Sequence, residues 1–177
     1  MNITPRTHFG IRALIDIAFY EKSGPVQRRH IALRQSIPTD YMDQLLMKLR
    51  ASGLIHSFRG REGGYHLAKD AREISMLDVM EAVEEESTIG SHLSRVGGEV
   101  AFATEYVTDP AITFLETAIK RQFKKYTLAM FLEDAEERMN DAGVDPIEVL
   151  NVRPGRELFA VARKAPLQSA LNTPSLN

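Results

Sequence analysis

The residues most able to do chemistry cluster in one stretch, IHSFRGREGGYHLAKD, Ile55 to Asp70. Arg59 and Arg61 bracket Gly60, and Gly63 and Gly64 follow at once. Guanidinium groups present planar forks that match phosphate oxygens. Glycines keep a turn thin enough for its backbone to approach another molecule. The chemistry on offer is recognition of a polyanion rather than bond-making. The remainder of the chain agrees. Cysteine is absent from all 177 residues, so there is no thiol nucleophile, disulfide or zinc ribbon. No Gly-rich phosphate cradle opens a helix, and no His-x-x-x-His pair occurs. Carboxylates are plentiful, but none forms a recognisable acid–base pair by spacing, and no enzymatic activity is expected.

The formal net charge of −2 hides an asymmetry. Residues 1–72 carry 12 Lys and Arg against 6 Asp and Glu; the remainder carries 10 against 18. A basic first part joined to an acidic remainder gives one surface suited to a polyanion and another suited to something else. Hydrophobic content of 44% is enough for a real core. The opening MNITPRTHFG has no apolar run behind a basic start, so no signal peptide is expected. No run approaches the roughly 18 apolar residues of a membrane helix. These features predict a cytoplasmic protein with no membrane partner.

The elements that must position the arginines follow from caps and periodicity. Thr4-Pro5 predicts a helix start, and Phe9, Ile11, Leu14, Ile15, Ala18 and Phe19 recur behind it at helical spacing. Ser23-Gly24-Pro25 ends that helix. A short second helix fits Arg28 to Gln35. SIPTD makes a turn, and Thr39 is the expected cap of a third helix, with Leu45, Leu46 and Leu49 on its buried face and Gly53 closing it. The alternating stretch from Ile55 then reads as a β-hairpin. Three helices and a hairpin make a winged helix-turn-helix, a mainly α fold with a small β wing, over residues 1–83. Taken alone the hairpin tip equally fits a solvated turn; directly behind a helix-turn-helix it fits insertion beside phosphates or into a minor groove. Ser75-Met76-Leu77-Asp78 predicts a capping box and a short helix ending in the acidic Glu84-Glu85-Glu86.

On this scheme the third helix enters the major groove of double-stranded DNA by its N-terminus. Thr39, Tyr41, Asp43 and Gln44 stand on its leading turns. Gln pairs with adenine, Asp accepts from cytosine, and a carboxylate near phosphate also repels wrong sites. Lys48 and Arg50, with Arg28, Arg29 and His30 on the second helix and Arg6 on the first, are phosphate candidates. Arg59, Gly60, Arg61, Gly63 and Gly64 serve the wing. The alternative is a winged-helix protein–protein module that touches no DNA, since fold alone does not decide function. Binding of duplex at moderate salt separates the two.

Residues 87–108 lack clear periodicity, and the stretch 84–108 reads as a loop. Asp109-Pro110 starts a long helix, expected over 109–138, whose Ile112, Leu115, Ile119, Phe123, Tyr126 and Met130 step by three or four. That stripe predicts pairing of two copies, as does the need of such DNA readers for two half-sites. Thr127 is also able to cap a second piece. From 139 to 177 Gly and Pro become frequent, which predicts a largely disordered tail.

These residues resemble the IscR/NsrR/CymR-type winged-helix transcription regulators over about residues 1–135. The wing RGREGGYHLA is similar to that family's Arg-Gly-x-x-Gly-Gly-Tyr-x-Leu-Ala, supported by YMDQLLMKLRASGLI, ISMLDVMEAVE, THFGIRALIDIAF and YTLAMFLED. The resemblance implies a homodimer that represses from a palindromic operator and a ligand loop between the short helix and the dimer helix. In many members that loop holds an iron–sulfur cluster on three cysteines. Here it offers only Glu84, Glu85, Glu86, His92, Glu99, Glu105 and Asp109. A conventional cluster relies on thiolates, so no cofactor is expected. Control would then come from a small ligand, a protein effector, a different metal or nothing at all. His8, near a position that helps ligate the cluster from the partner subunit in some relatives, pairs with His92 as a remote candidate for a metal site.

Overall fold

A computed structural model describes residues 4–60, 62–84 and 104–145. Helix α1 (Pro5–Tyr20) begins as its sequence dictates: Thr4 Oγ1 accepts from the Thr7 amide at 3.2 Å and proline takes the first turn. Its buried residues Gly10, Ala13, Leu14, Ile17 and Ala18 make it the central element of the core. Helix α2 (Arg28–Gln35) is short and contributes Ile31 and Ala32. It is fixed to α1 by a buried ion pair. Arg34 Nε and Nη2 donate to the two oxygens of Asp16 at 2.9 and 2.6 Å, and Gln35 Nε2 adds 2.8 Å to Oδ2. The Arg34 guanidinium also lies 3.8 Å from the centre of the Tyr20 ring. Removing one member of so buried a pair strands the other charge, at about 3–5 kcal/mol.

The turn after α2 passes through Ser36, whose φ of 53° is left-handed, and leads into α3 (Thr39–Ala51). Pro38, not Thr39, occupies the cap, and Thr39 is the first helical residue. Met42, Leu45, Leu46 and Leu49 bury the inner face of α3. Gly53, with φ 67°, turns the chain out of the helix as a left-handed C-terminal residue should. Strands β1 (Ile55–Phe58) and β2 (Gly64–Leu67) pair antiparallel from Ile55 opposite Leu67 to Phe58 opposite Gly64. Val26 adds a rung beside them, exchanging two backbone hydrogen bonds of 3.0 Å with Tyr65.

Helix α4 (Met76–Val83) opens on the reciprocal capping box its sequence spells. Ser75 Oγ accepts from the Asp78 amide and Asp78 Oδ2 accepts from the Ser75 amide. A short π-type turn (Thr104–Thr108) precedes α5 (Asp109–Lys125), and α6 (Leu128–Asp141) follows. The single helix expected over 109–138 is therefore two, and the second runs past 138. The division has a tertiary cause. Tyr126 and Thr127 turn extended, and the chain there bridges to the start of α4: the Met76 amide donates to Tyr126 O and the Leu128 amide to Ile74 O, both at 2.8 Å. Thr127 then caps α6, and Leu128 is fully buried in the core. Among the described residues no helix is long and apolar enough to cross a membrane.

Candidate nucleic-acid interface

The fold brings α2, α3 and the wing to one side. Between the start of α2 and the wing lies a cleft of about 470 Å³, lined by Arg28, Arg29, Phe58, Arg59, Gly60 and Tyr65 among others. Gln27 caps α2 without a side-chain hydrogen bond, so the positive end of that helix opens into the cleft. Arg28, Arg29, Arg59 and Gly60 are all exposed. The arrangement can hold phosphate oxygens between two elements.

The wing glycines divide by role. Gly60 is exposed with φ 122°, a conformation that glycine accepts without strain. Gly63 and Gly64 have a reason inside the fold. A Cβ on Gly63 would stand 2.3 Å from Phe58 O, and one on Gly64 would stand 2.7 Å from the Val26 carbonyl. Gly64 is buried. These two keep the strands and the Val26 rung together, so thinness toward a partner explains Gly60 rather than the pair.

On α3 the sequence-derived residues separate in the same way. Thr39, Gln44 and Arg50 are exposed. Tyr41 is half-buried, its ring edge-on to Phe9 at 5.6 Å. Asp43 is not a free acceptor: Arg28 Nη1 reaches both its oxygens, at 2.6 and 2.5 Å. Lys48 reaches toward the end of α4, donating to Val83 O at 2.9 Å. Arg50 Nη1 donates to Ser57 Oγ of the wing at 3.3 Å, tying the helix to β1. On α2, burial first, then the cations Arg29 and Arg34, hold His30 below its ordinary imidazole value despite Asp16. Arg6, exposed on α1, lies near Glu84. Arg61 falls outside the described residues.

The structure also exposes residues that the motif reading passed over. Met47 is 60% exposed on α3, and Phe58 is 55% exposed at the end of β1, with His66 edge-on at 5.2 Å. Helical period marks Met47 as outward once Leu45, Leu46 and Leu49 are assigned inward, so a signal for it existed.

The expected pairing stripe is only partly free. Phe123 and Tyr126 pack against the chain's own core, and Ile112 is half-buried. Leu115, Ile119 and Met130 remain exposed, joined by Phe114 at 71% and by Tyr106 and Val107 just before α5.

The donor set does not suit a thiolate-held cluster. No cysteine exists in the sequence, and among the described residues no three His, Asp or Glu lie close enough to share an ion. Glu84 is engaged by Thr4 and Thr7, whose hydroxyls both donate to Oε1, the latter at 2.6 Å. Partial burial pushes its carboxyl up, but those hydrogen bonds, the Thr7 amide and Arg6 hold it below the usual range. His8 is exposed, 5.7 Å from the Phe9 ring, and His92 lies outside the described residues.

Comparison with known proteins adds a lineage to this geometry. The model of the Rrf2 family, described as an iron-dependent transcriptional regulator, matches residues 3–134. The chain is 32% identical over 135 residues to slr0846 of Synechocystis sp., described as a helix-turn-helix transcriptional regulator, covering 76% of this chain and 90% of that one. It is 41% identical over 85 residues to the regulator IscR of Photorhabdus laumondii, spanning 48% of this chain and 52% of IscR. Among solved structures, IscR of T. potens matches with a TM-score of 0.62 at 31% identity, over 77% of this chain and 90% of that chain.

Proposed function

This chain belongs to the Rrf2 family of transcriptional regulators, and on that premise we propose that it is a homodimeric repressor that binds a two-half-site DNA operator without an iron–sulfur cluster. The observation that carries the reading is the basic cleft between α2 and the wing, set beside an exposed helix α3. Arg29 and Arg59 with the start of α2 take backbone phosphates, Arg28 neutralises Asp43 beside them, Gly60 lets the tip approach, and the outer face of α3 meets base edges. Lys48 and Tyr41 support α3 from behind instead of touching DNA.

The family is described as iron-dependent, whereas this chain has no cysteine thiolate to hold an iron–sulfur cluster. Protein purified without oxygen is expected to be colourless and free of stoichiometric iron. Visible absorbance with bound iron would overturn the cluster-free reading.

The DNA reading is tested by duplex binding across a salt series. Each phosphate contact contributes close to one unit to the slope of log affinity against log salt. Arg59→Ala should weaken binding and flatten that slope by about two for a dimer with two wings. An Arg59→Ala protein with unchanged affinity and slope removes the wing from the interface. Wild-type protein that binds no duplex at moderate salt favours the protein–protein module instead.

A further inference from the structure

We propose that Met47 is a specificity-determining residue that reads the 5-methyl group of thymine in the major groove. This rests on α3 being the reading helix and goes beyond it by naming a base. Asp40, Gln44, Met47 and Ala51 follow one another at three- and four-residue steps along the exposed face of α3. Met47 is the one large apolar side chain exposed on that helix, at 60%. The core does not need it, because Met42, Leu45, Leu46 and Leu49 already fill the inner face.

The neighbouring side chains sharpen the choice of base. Guanine is most often read by Arg or Lys. On this surface Arg28 is held by Asp43, Lys48 reaches back to Val83 O, and Arg50 leans on Ser57. The central exposed face therefore offers Gln44, an amide that fits adenine, and one turn further on a thioether. A thioether donates nothing, so its contribution in the groove is apolar contact. The single apolar group on a base edge in the major groove is the thymine methyl. Gln44 and Met47, three residues apart, are neighbours on the helix surface. Together they select an A·T-containing step in each half-site.

The test begins by selecting bound sequences from a randomised duplex library with the full wild-type chain. Each thymine of the selected half-site is then replaced by deoxyuridine, which removes only the methyl. At one position wild-type affinity should fall about fourfold per half-site, the value of one buried methyl-sized group. Met47→Ser should be indifferent to that replacement and should relax the selection there, while Met47→Leu should keep the methyl sensitivity. Wild-type protein indifferent to every deoxyuridine, or Met47→Ser retaining the full penalty, overturns the assignment. A selection that enriches no duplex is a different failure: it overturns the DNA-binding reading itself, and this inference with it.

Discussion

At the scale of single residues, the most informative contact is Arg28 to Asp43. Sequence reading gives each a separate task, phosphate for the one and cytosine for the other. The structure joins them across α2 and α3 at 2.5 to 2.6 Å. Both side chains are close to half exposed, so the pair contributes little to stability. Its consequence lies in binding. An unpartnered carboxylate on the leading turns of α3 would face the phosphates of an approaching duplex and repel them. Arg28 neutralises it. Arg28→Ala should therefore leave the melting temperature nearly unchanged and lower duplex affinity by about tenfold or more. Adding Asp43→Ala should restore most of that loss, since the repulsion goes with the carboxylate. If the double variant binds as weakly as Arg28→Ala alone, Arg28 acts by its own phosphate contact and the carboxylate is irrelevant. A double-mutant cycle read on both stability and affinity separates these outcomes.

At the scale of elements, α4 fixes α1 and α3 relative to each other. Val83 packs on Gly10 of α1 so closely that a Cβ there would stand 2.8 Å from Val83 Cγ1. The same residue's carbonyl accepts from Lys48 of α3, and Glu84 accepts from Thr4 and Thr7 of α1. Gly10→Ala should cost about 1–3 kcal/mol of stability by overpacking, read from chemical denaturation. In a Val83→Ala background the same change should be close to neutral, because the obstructing methyls are gone. A full penalty in both backgrounds would place the strain elsewhere. This junction was not legible in the sequence, whereas much around it was. The Thr4-Pro5 start of α1 and the Ser75 to Asp78 box are written in residues three or four apart, so the chain declares them locally. The hairpin declares itself by alternation. The interruption between α5 and α6 is declared only in part: Thr127 offers the cap of a second piece, but what breaks the helix is the bridge to Ile74 and Met76, some fifty residues upstream. The site follows the same rule. The wing arginine and the outward Gln44 follow from local spacing. The inward turn of Lys48, the Arg28 to Asp43 pair and the internal need for Gly63 and Gly64 arise from elements that meet only in the folded chain.

At the scale of the whole molecule, the exposed apolar face at the start of α5 is the feature a single chain leaves unexplained. Phe114 is 71% exposed, Val107 64%, Tyr106 61% and Leu115 58%, all within ten residues. Scattered exposed apolar side chains are ordinary, but a contiguous group of this kind marks a contact surface. In the proposed homodimer a second copy covers this face, because two-fold pairing presents two reading helices to two half-sites and lets each wing find its own phosphates. Phe123 and Tyr126 anchor the far end of α5 to the core of their own protomer. In the proposed dimer, pairing therefore rests on the first half of the helix rather than on its full length. Sedimentation at micromolar concentration should give twice the 19.9 kDa chain mass. Phe114→Glu should give the single chain with its fold intact, since among the described residues that side chain is 71% exposed and takes no part in the core. Phe123→Ala should instead lower the melting temperature and leave a dimer. On a duplex with two half-sites the Phe114→Glu protein should bind little better than on one with a single half-site, because the second contact is no longer intramolecular. A wild-type chain that sediments as a monomer, or a Phe114→Glu chain that remains a dimer, would move the pairing surface away from this helix.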